Sequence, residues 1–459
     1  MPIFKSTEPV GPVESVGTLR WPALALLVAL AAAVTAQGAF YPSDQRLIAM
    51  PLAVSVVLTV LKYRSLVIPW SLLATGGALS LWALLLGDKL GDGAGIVYMI
   101  AAFVAVVMVV ASTARQERVA LLGAVTALGV FVSLSGIVGV AFHIYELAIP
   151  GQGLWRASTT LTYANASGSL LGPIALVTLG RSTSETGRSR VLWMSALVIL
   201  FVGLGATLSR GGILAFGCSF LILLWRCHWR VIFSIMAPVV LGTAVALVGL
   251  GPSFSEGSEA RPGWAIAGLV VGLLVAVVVG RWSNSRIFAA LGISVLIAAL
   301  SLANGLGGET LSRLSGTRLS FESSDRTETW NAALETIRNS PWTGEGPGNG
   351  RLRYYQESGN YVEARFVHNE YLQIGVELGI VGMLLLAAIF MTVIGGVMFG
   401  GAKVSGANSS DVWYGVLAAL LALAIGSGLD FLWHIPAIPL VGAVLIGASW
   451  QEKSRRIKN

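Results

Sequence analysis

The chain has 459 residues, of which 55% are hydrophobic and only 12% charged, and its mean hydropathy is +0.76. A soluble domain has about 25% charged residues, so this composition excludes a soluble protein and indicates an integral membrane protein. The net charge of +7 does not indicate nucleic-acid binding, because the basic residues form short clusters between apolar runs and no basic patch with interleaved aromatic residues appears. Two cysteines, Cys218 and Cys227, are too few for a zinc site.

The first apolar run follows Glu8 and Glu14 and has no small-residue cleavage site, so we expect an uncleaved first span. A helix needs about 20 apolar residues to cross the hydrocarbon core. Such segments run near 21–40, 46–61, 66–86, 94–113, 119–142, 166–180, 191–209, 211–225, 231–250, 263–280, 287–303, 371–398, 412–428 and 433–450. Two of them are short, and Pro436 and Pro439 interrupt the last. We therefore predict an all-α polytopic membrane protein with about 14 (12–14) transmembrane helices.

The charges of the connecting loops predict the orientation of these helices. Lysine and arginine accumulate in alternate loops, as cytoplasmic loops of membrane proteins do. These residues are Lys62, Arg64, Arg115, Arg118, Arg181, Arg188, Arg190, Arg226, Arg230, Arg281, Arg286, Lys403, Lys453, Arg455, Arg456 and Lys458. The pattern predicts that both termini are cytoplasmic and that two longer polar segments, 143–165 and 304–370, lie outside. We accordingly divide the chain into an N-terminal transmembrane region of about 11 spans (1–303), an outer loop or cap (304–370) and a C-terminal transmembrane region (371–459).

The outer segment 304–370 has the signals of a folded cap. Trp330, Ala333 and Ile337 share one helix face, and Ser340-Pro341 predicts where that helix ends. The glycine-rich piece 344–350 then predicts a tight turn. The cap is therefore expected to be partly helical.

The end of the cap, 365–373, carries the densest set of chemical groups, with an imidazole, an amide, a carboxylate and a phenol at His368, Asn369, Glu370 and Tyr371. We estimate the apolar run 371–398 to be about 42 Å long as one helix, so its first turns are expected at or above the membrane interface. Histidine exchanges a proton near neutral pH, which makes His368 the candidate base. A capping or head-group-contacting role is the alternative.

Arginines predicted on the same outer side supply candidate anion sites. Arg210 stands between two apolar runs and is flanked by glycines, and Arg326 lies in the first turn of the cap helix. The alternatives are a lipid-contacting Arg210 and a structural ion pair of Arg326. Arg318 could act like Arg326, and Arg156 and Asn165 in the other outer loop are weaker candidates.

Together, these residues favour a substrate with phosphates and a lipid tail. The chain has no phosphate-binding Gly-Lys-Ser/Thr motif, so nucleotide hydrolysis is not expected. Paired carboxylates at metal-binding spacing are also missing from the outer loops, so we expect neither metal nor cofactor.

Three motifs in order resemble the O-antigen ligase and polymerase superfamily. They are Ser209-Arg210-Gly211-Gly212; then Arg326 and Trp330 ahead of Gly344-x-Gly346-x-Gly348; then His368-Asn369-x-Tyr371-Leu372-Gln373. The resemblance covers roughly residues 150–400 and extends to the large periplasmic loop before the closing spans. It does not separate the branches of the superfamily.

This resemblance implies a glycosyltransferase of the bacterial inner membrane whose active site faces the periplasm. The donor would be a glycan on undecaprenyl diphosphate, the acceptor a sugar of the lipid A core, and neither metal nor ATP would be needed. By position, His368 would deprotonate the acceptor, while Arg210 and Arg326, with Arg156, would bind the diphosphate. Asn369, Tyr371, Asn165 and Arg318 would support them, although Ala164 replaces the proline that usually precedes the asparagine.

Two other functions stay open at this stage. An O-antigen polymerase or a protein O-oligosaccharyltransferase would share the chemistry and differ in the acceptor. A polytopic transporter of lipids or glycans would instead need ionisable residues within the spans. Only Asp430 and Glu377 come near that description, which favours chemistry at the outer surface.

Overall fold

The structure is a computed structural model, and it describes residues 19–63, 66–88, 93–281, 324–356, 359–404 and 410–450. The described part of the chain is mostly helical. Its helices are α1 (Trp21–Thr35), α2 (Pro42–Lys62), α3 (Trp70–Leu86), α4 (Ala94–Ser112), α5 (Arg115–Phe142), α6 (Ala164–Thr183), α7 (Gly187–Thr207), α8 (Arg210–Arg226), α9 (Trp229–Leu250), α10 (Pro262–Val279), α11 (Ser324–Asn339), α12 (Glu370–Val404), α13 (Ser410–Ser427) and α14 (Ala437–Ser449).

Seven helical segments among the described residues are long and apolar enough to cross a bilayer. They are Pro42–Lys62, Ala94–Ser112, Arg115–Phe142, Gly187–Thr207, Trp229–Ser253, Pro262–Val279 and Glu370–Met398. The protein is therefore a multi-pass helical membrane protein, as predicted. Helices coincide with thirteen of the fourteen predicted spans, whereas the segment 287–303 lies outside the described residues. The total of fourteen spans and the cytoplasmic termini stay predictions.

Helix α6 lies at the centre of the molecule and packs against α5, α7, α8 and α13. Most of its residues are buried, from Ala164 to Ser182. The start of α8 approaches α6 very closely: a Cβ at Gly212 would lie 2.7 Å from the backbone of Gly168. Small residues allow this contact, and it fixes Arg210 beside the N-terminal end of α6.

Two short antiparallel hairpins occupy the predicted outer segments. Strands β1 (Ala148–Gly151) and β2 (Leu154–Ala157) pair within 143–165. Strands β3 (Leu352–Tyr355) and β4 (Tyr361–Ala364) pair within the cap. The described part of the cap is thus a helix and a hairpin, packed around a small apolar cluster of Ala333, Leu352, Val367 and Val376.

The prediction of one continuous helix over 371–398 is wrong, because α12 breaks at Gly379, where φ is 66° and ψ is −167°. Only glycine adopts this backbone conformation readily. Two groups near the break find partners outside the helix: the Trp82 indole donates to the carbonyl of Leu378 at 3.0 Å, and the N–H of Ile380 donates to the carbonyl of Pro341 at 2.8 Å. The first nine residues of α12 therefore pack partly with the cap.

The last predicted span also begins later than expected. Residues Leu432–His434 form a 3-10 turn, and α14 starts only at Ala437, after Pro436. Proline fixes its own φ and lacks an N–H, so a helix tolerates it only near its start. As a result, Asp430 and His434 belong to the connection between α13 and α14, not to a membrane helix.

Candidate active site

His368 is held on both sides by hydrogen bonds to its neighbours. Gln373 accepts from the N–H of Val367 at 2.9 Å, and the Trp330 indole of α11 donates to the Val367 carbonyl at 3.1 Å. Asn369 caps α12, because its Oδ1 accepts from the backbone N–H groups of Tyr371 and Leu372. The backbone of His368 itself has a φ of 55°. This left-handed conformation costs about 1–2 kcal/mol in a non-glycine residue, so the surrounding contacts must maintain it.

The imidazole of His368 pairs with Asp430 in the α13–α14 connection. The distance from Nδ1 of His368 to Oδ1 of Asp430 is 2.9 Å. The Asp430 side chain is only 4% exposed, whereas that of His368 is 38% exposed. A carboxylate accepts hydrogen bonds, so Nδ1 carries the proton and Nε2 keeps a free lone pair. In the neutral ring Nε2 is therefore the basic nitrogen, and it belongs to the more exposed side chain of the pair.

Further donors surround the Asp430 carboxylate. The Tyr163 hydroxyl donates to Oδ2 at 2.8 Å, Asn165 Nδ2 donates to Oδ2 at 2.9 Å, and the N–H of Phe431 donates to Oδ1 at 2.9 Å. Burial alone raises the pKa of Asp430, but the hydrogen bond and charge of His368, the Tyr163 hydroxyl and the Phe431 amide together hold that pKa below its usual value. Burial likewise raises the pKa of Tyr163, which keeps its hydroxyl protonated as a donor. Asp430 is thus a stable anion at the centre of the cluster.

Two guanidinium groups lie close to this anion, and a third, that of Arg210, affects the pKa of one of them. Arg326 Nη2 lies 3.7 Å from Oδ2 of Asp430. Arg156 donates from Nη2 to Asn165 Oδ1 at 2.8 Å and from Nε to the carbonyl of Thr207 at 3.1 Å. Burial lowers the pKa of Arg156, while Tyr163 and Asp430 act to raise it and the nearby charges of Arg210 and Arg326 add to the lowering. An arginine nevertheless stays protonated, so positive charge is concentrated at this site.

The predicted residues divide into those in the cluster and those beside it. His368, Arg326, Arg156 and Asn165 are joined through Asp430, and Arg210 is exposed at the start of α8, within electrostatic range of Arg156. The Tyr371 hydroxyl instead donates to the carbonyl of Ala424 in α13 at 2.6 Å, so it ties α12 to α13. Arg318 lies outside the described residues.

Sequence reasoning missed the two residues that complete the cluster, Asp430 and Tyr163. Asp430 appeared only as an unusual charge near a predicted span, and Tyr163 was not among the candidates. A carboxylate at membrane depth is costly, and that cost was the one available signal. Among the residues that the structure describes, no group of three or more His, Cys, Asp or Glu is placed to hold a metal ion.

Comparison with protein families matches residues 257–387 to O-antigen ligase. The matched segment contains Arg326 and His368, whereas Arg156, Arg210 and Asp430 lie outside it. Comparison with curated proteins gives no match. Residues 257–387 of this chain thus match the O-antigen ligase family, and that match indicates an enzyme that processes lipid-linked glycans.

Proposed function

We propose that the protein transfers a glycan from undecaprenyl diphosphate to a sugar hydroxyl of the lipid A core at the periplasmic face of the bacterial inner membrane. The family match over residues 257–387 supports glycan transfer in general. The observation that carries the specific proposal is the His368–Asp430 pair, 2.9 Å apart, in a cluster with Arg156 and Arg326. A base next to several fixed cations matches what transfer from a glycosyl diphosphate requires.

The base step falls to Nε2 of His368. The acceptor hydroxyl loses its proton to Nε2 as its oxygen bonds to the anomeric carbon of the donor. Asp430 then stabilises the imidazolium that forms, since its carboxylate already accepts the Nδ1 hydrogen bond. The pair thus orients the ring before reaction and compensates its charge afterwards.

The leaving-group step falls to the arginines. The bond between the anomeric carbon and the diphosphate oxygen breaks, and its electron pair leaves with the diphosphate. Arg210 and Arg326 are at least partly exposed, and we assign them the contacts with the diphosphate. Arg156, which has a largely buried guanidinium, adds a fixed positive charge near them. Guanidinium groups present planar pairs of donors that match phosphate oxygens, so they stabilise the leaving group in a poorly hydrated site.

The environment of Asp430 favours a single displacement. A carboxylate nucleophile would need a free oxygen facing the anomeric carbon. Both Asp430 oxygens already accept hydrogen bonds, and its side chain is 4% exposed. Direct attack by the acceptor from the opposite face would then invert the configuration at the anomeric carbon.

The test is reconstitution of the full chain in liposomes with a lipid-linked glycan and chelator present. Lipid A core is offered as acceptor in one sample and a second lipid-linked glycan in another, because the acceptor distinguishes a ligase from a polymerase. We expect transfer to the core and no transfer by His368→Ala, with His228→Ala as the control histidine. Transfer by His368→Ala at the wild-type rate would refute the base assignment. Transfer only to the second lipid-linked glycan would refute the assignment as a ligase and identify the enzyme as a polymerase.

A further inference from the structure

The two segments that meet at the site are cross-linked twice, in opposite directions. His368 of the segment 366–370 bonds to Asp430 of the segment 430–434, and Glu370 of the first segment bonds to His434 of the second. Each segment therefore contributes one histidine and one carboxylate. The mechanism proposed above uses only the first pair.

The second pair is the more buried of the two at its carboxylate. Glu370 is 1% exposed and accepts from His434 Nδ1 at 3.3 Å. It also accepts from the backbone N–H of Trp433, and the Trp433 indole donates to Ser427 at 2.9 Å. Glu370 thus binds the turn that follows Asp430 and connects it to the start of α12. This turn cannot shift relative to His368 without breaking those bonds.

Aromatic rings fill the space between the two pairs. Phe366 stacks on Phe431 with ring centroids 4.4 Å apart, and its centroid lies 4.6 Å from that of His434. Phe431 also stacks on Tyr163, with ring centroids 5.1 Å apart. The His368 ring contacts the Phe431 ring edge-on, at a centroid distance of 5.0 Å. The Glu370–His434 pair is therefore connected to the His368–Asp430 pair by closely packed rings, so that a displacement of one ring displaces the next.

The charges that face His434 are those of Glu370, Glu377 and Arg365. Burial lowers the pKa of His434, and the charge of Arg365 lowers it further. The charge and hydrogen bond of Glu370, together with the charge of Glu377, outweigh these effects and raise the pKa of His434 overall. Below this raised pKa the second pair is an ion pair as well as a hydrogen bond.

We propose that Glu370 and His434 are positioning residues, which hold the α13–α14 connection in the register that lets Asp430 lock His368 in its Nδ1–H form. Neither side chain is assigned a contact with substrate. The consequence for turnover rests on the proposed function, whereas the tautomer of His368 is a property of the protein alone. Two independent measurements therefore separate the two ideas.

The first measurement is the ¹⁵N NMR spectrum of the full chain in nanodiscs with labelled histidine. The chain has four histidines, so four imidazoles are assigned by single substitutions. Wild type is expected to show His368 as the Nδ1–H tautomer, and Asp430→Leu, which has no acceptor oxygen, serves as the reference in which this lock is lost. His434→Leu removes the donor to Glu370 and is expected to release the lock in part, whereas His434→Asn, which keeps a donor near the position of Nδ1, is expected to restore it.

Glu370→Gln is the second variant, because it retains volume and one acceptor oxygen if His434→Leu fails to fold. The matched control is Glu117→Gln, which removes another buried glutamate with hydrogen bonds from Tyr63 and the Arg20 amide. Glu117 stands in the first turn of α5, and the far end of that helix is about 38 Å away. An unchanged His368 tautomer in both His434→Leu and Glu370→Gln would overturn the proposal.

The second measurement is the steady-state rate of glycan transfer. Loss of a residue that orients a reacting histidine costs roughly 10–100-fold at comparable second-layer sites, so we expect kcat of His434→Leu to fall by that order. The donor KM should stay constant, because the arginines are untouched. A changed tautomer without any transfer by wild type would retain the positioning role and reject the glycosyltransferase. Glycan transfer by wild type, with an unchanged His368 tautomer in the two variants, would retain the glycosyltransferase and reject the positioning role.

Discussion

Asp430→Asn is the substitution that tests the arrangement of the site most directly. Asparagine has nearly the same size, but it replaces one acceptor oxygen by a donor amide. In one orientation this amide faces Nδ1 of His368 and the Phe431 N–H, and in the other it faces Asn165 Nδ2 and Arg326. Either way, a donor meets a donor at a site where the original side chain is 4% exposed.

The expected magnitude follows from these contacts. A hydrogen bond to a charged group contributes about 1.5–3 kcal/mol, and a buried donor left unsatisfied costs about 1–3 kcal/mol more. If about 3–4 kcal/mol of these two contributions together is lost from the stabilisation of the transition state, kcat drops about 10²–10³-fold. The loss falls on kcat because the imidazolium forms only during the reaction, whereas the arginines that bind the donor stay in place.

The assay is the initial rate of glycan transfer in proteoliposomes at saturating donor and at several donor concentrations. Asp44→Asn is the matched control, since Asp44 lies in the first turn of α2 and its isosteric change should leave the rate unaltered. A kcat close to wild type in a folded Asp430→Asn variant would refute the role of the carboxylate. A raised donor KM at constant kcat would show that Asp430 instead positions Arg326 and Arg156 for donor binding.

Three other changes probe separate parts of the structure. Arg210→Lys should weaken donor binding at least tenfold, because a point charge does not replace a planar guanidinium on a diphosphate; binding of a lipid diphosphate at the wild-type Kd would exclude that contact. Gly379→Ala should lower the thermal stability by more than about 1–3 kcal/mol, since φ is 66° and the new Cβ would collide with the backbone of Trp342; an unaltered Tm would show that α12 is continuous there. His434→Leu should destabilise the protein more at pH 6 than at pH 9. A raised folded-state pKa contributes stability that is complete below the ordinary histidine pKa and is lost as the pH rises through the raised, folded-state pKa, so a pH-independent Tm difference would contradict the ion pair.

Long apolar runs predicted most of the helices because a bilayer imposes a simple requirement of length and hydrophobicity. The exceptions occur at particular residues. Gly379 divides α12, since a run of apolar letters does not reveal that the cap packs against its first nine residues. Pro436 delays α14, and the six residues between Asp430 and Ala437 include a 3-10 turn.

The candidate site was predicted only in part. His368, Arg326, Arg156 and Asn165 stand near one another, whereas Asn369 caps a helix and the Tyr371 hydroxyl contacts α13. The carboxylate that joins the cluster comes from residue 430, which is 62 positions from His368 and 267 from Tyr163. Such pairings are set by the packing of α6, α12 and α13 and leave no local pattern in the sequence.

The sequence by itself determined that this is a multi-pass helical membrane protein, because the free energy of placing a helical segment in a bilayer depends on the length and hydrophobicity of that segment. It also marked His368 and the arginines, because their chemistry is unusual in so apolar a chain. Only the tertiary structure decided which carboxylate orients His368 and which pair holds that carboxylate in position. Those assignments depend on distances of about 3 Å between segments far apart in the chain, and such distances exist only after the helices have packed.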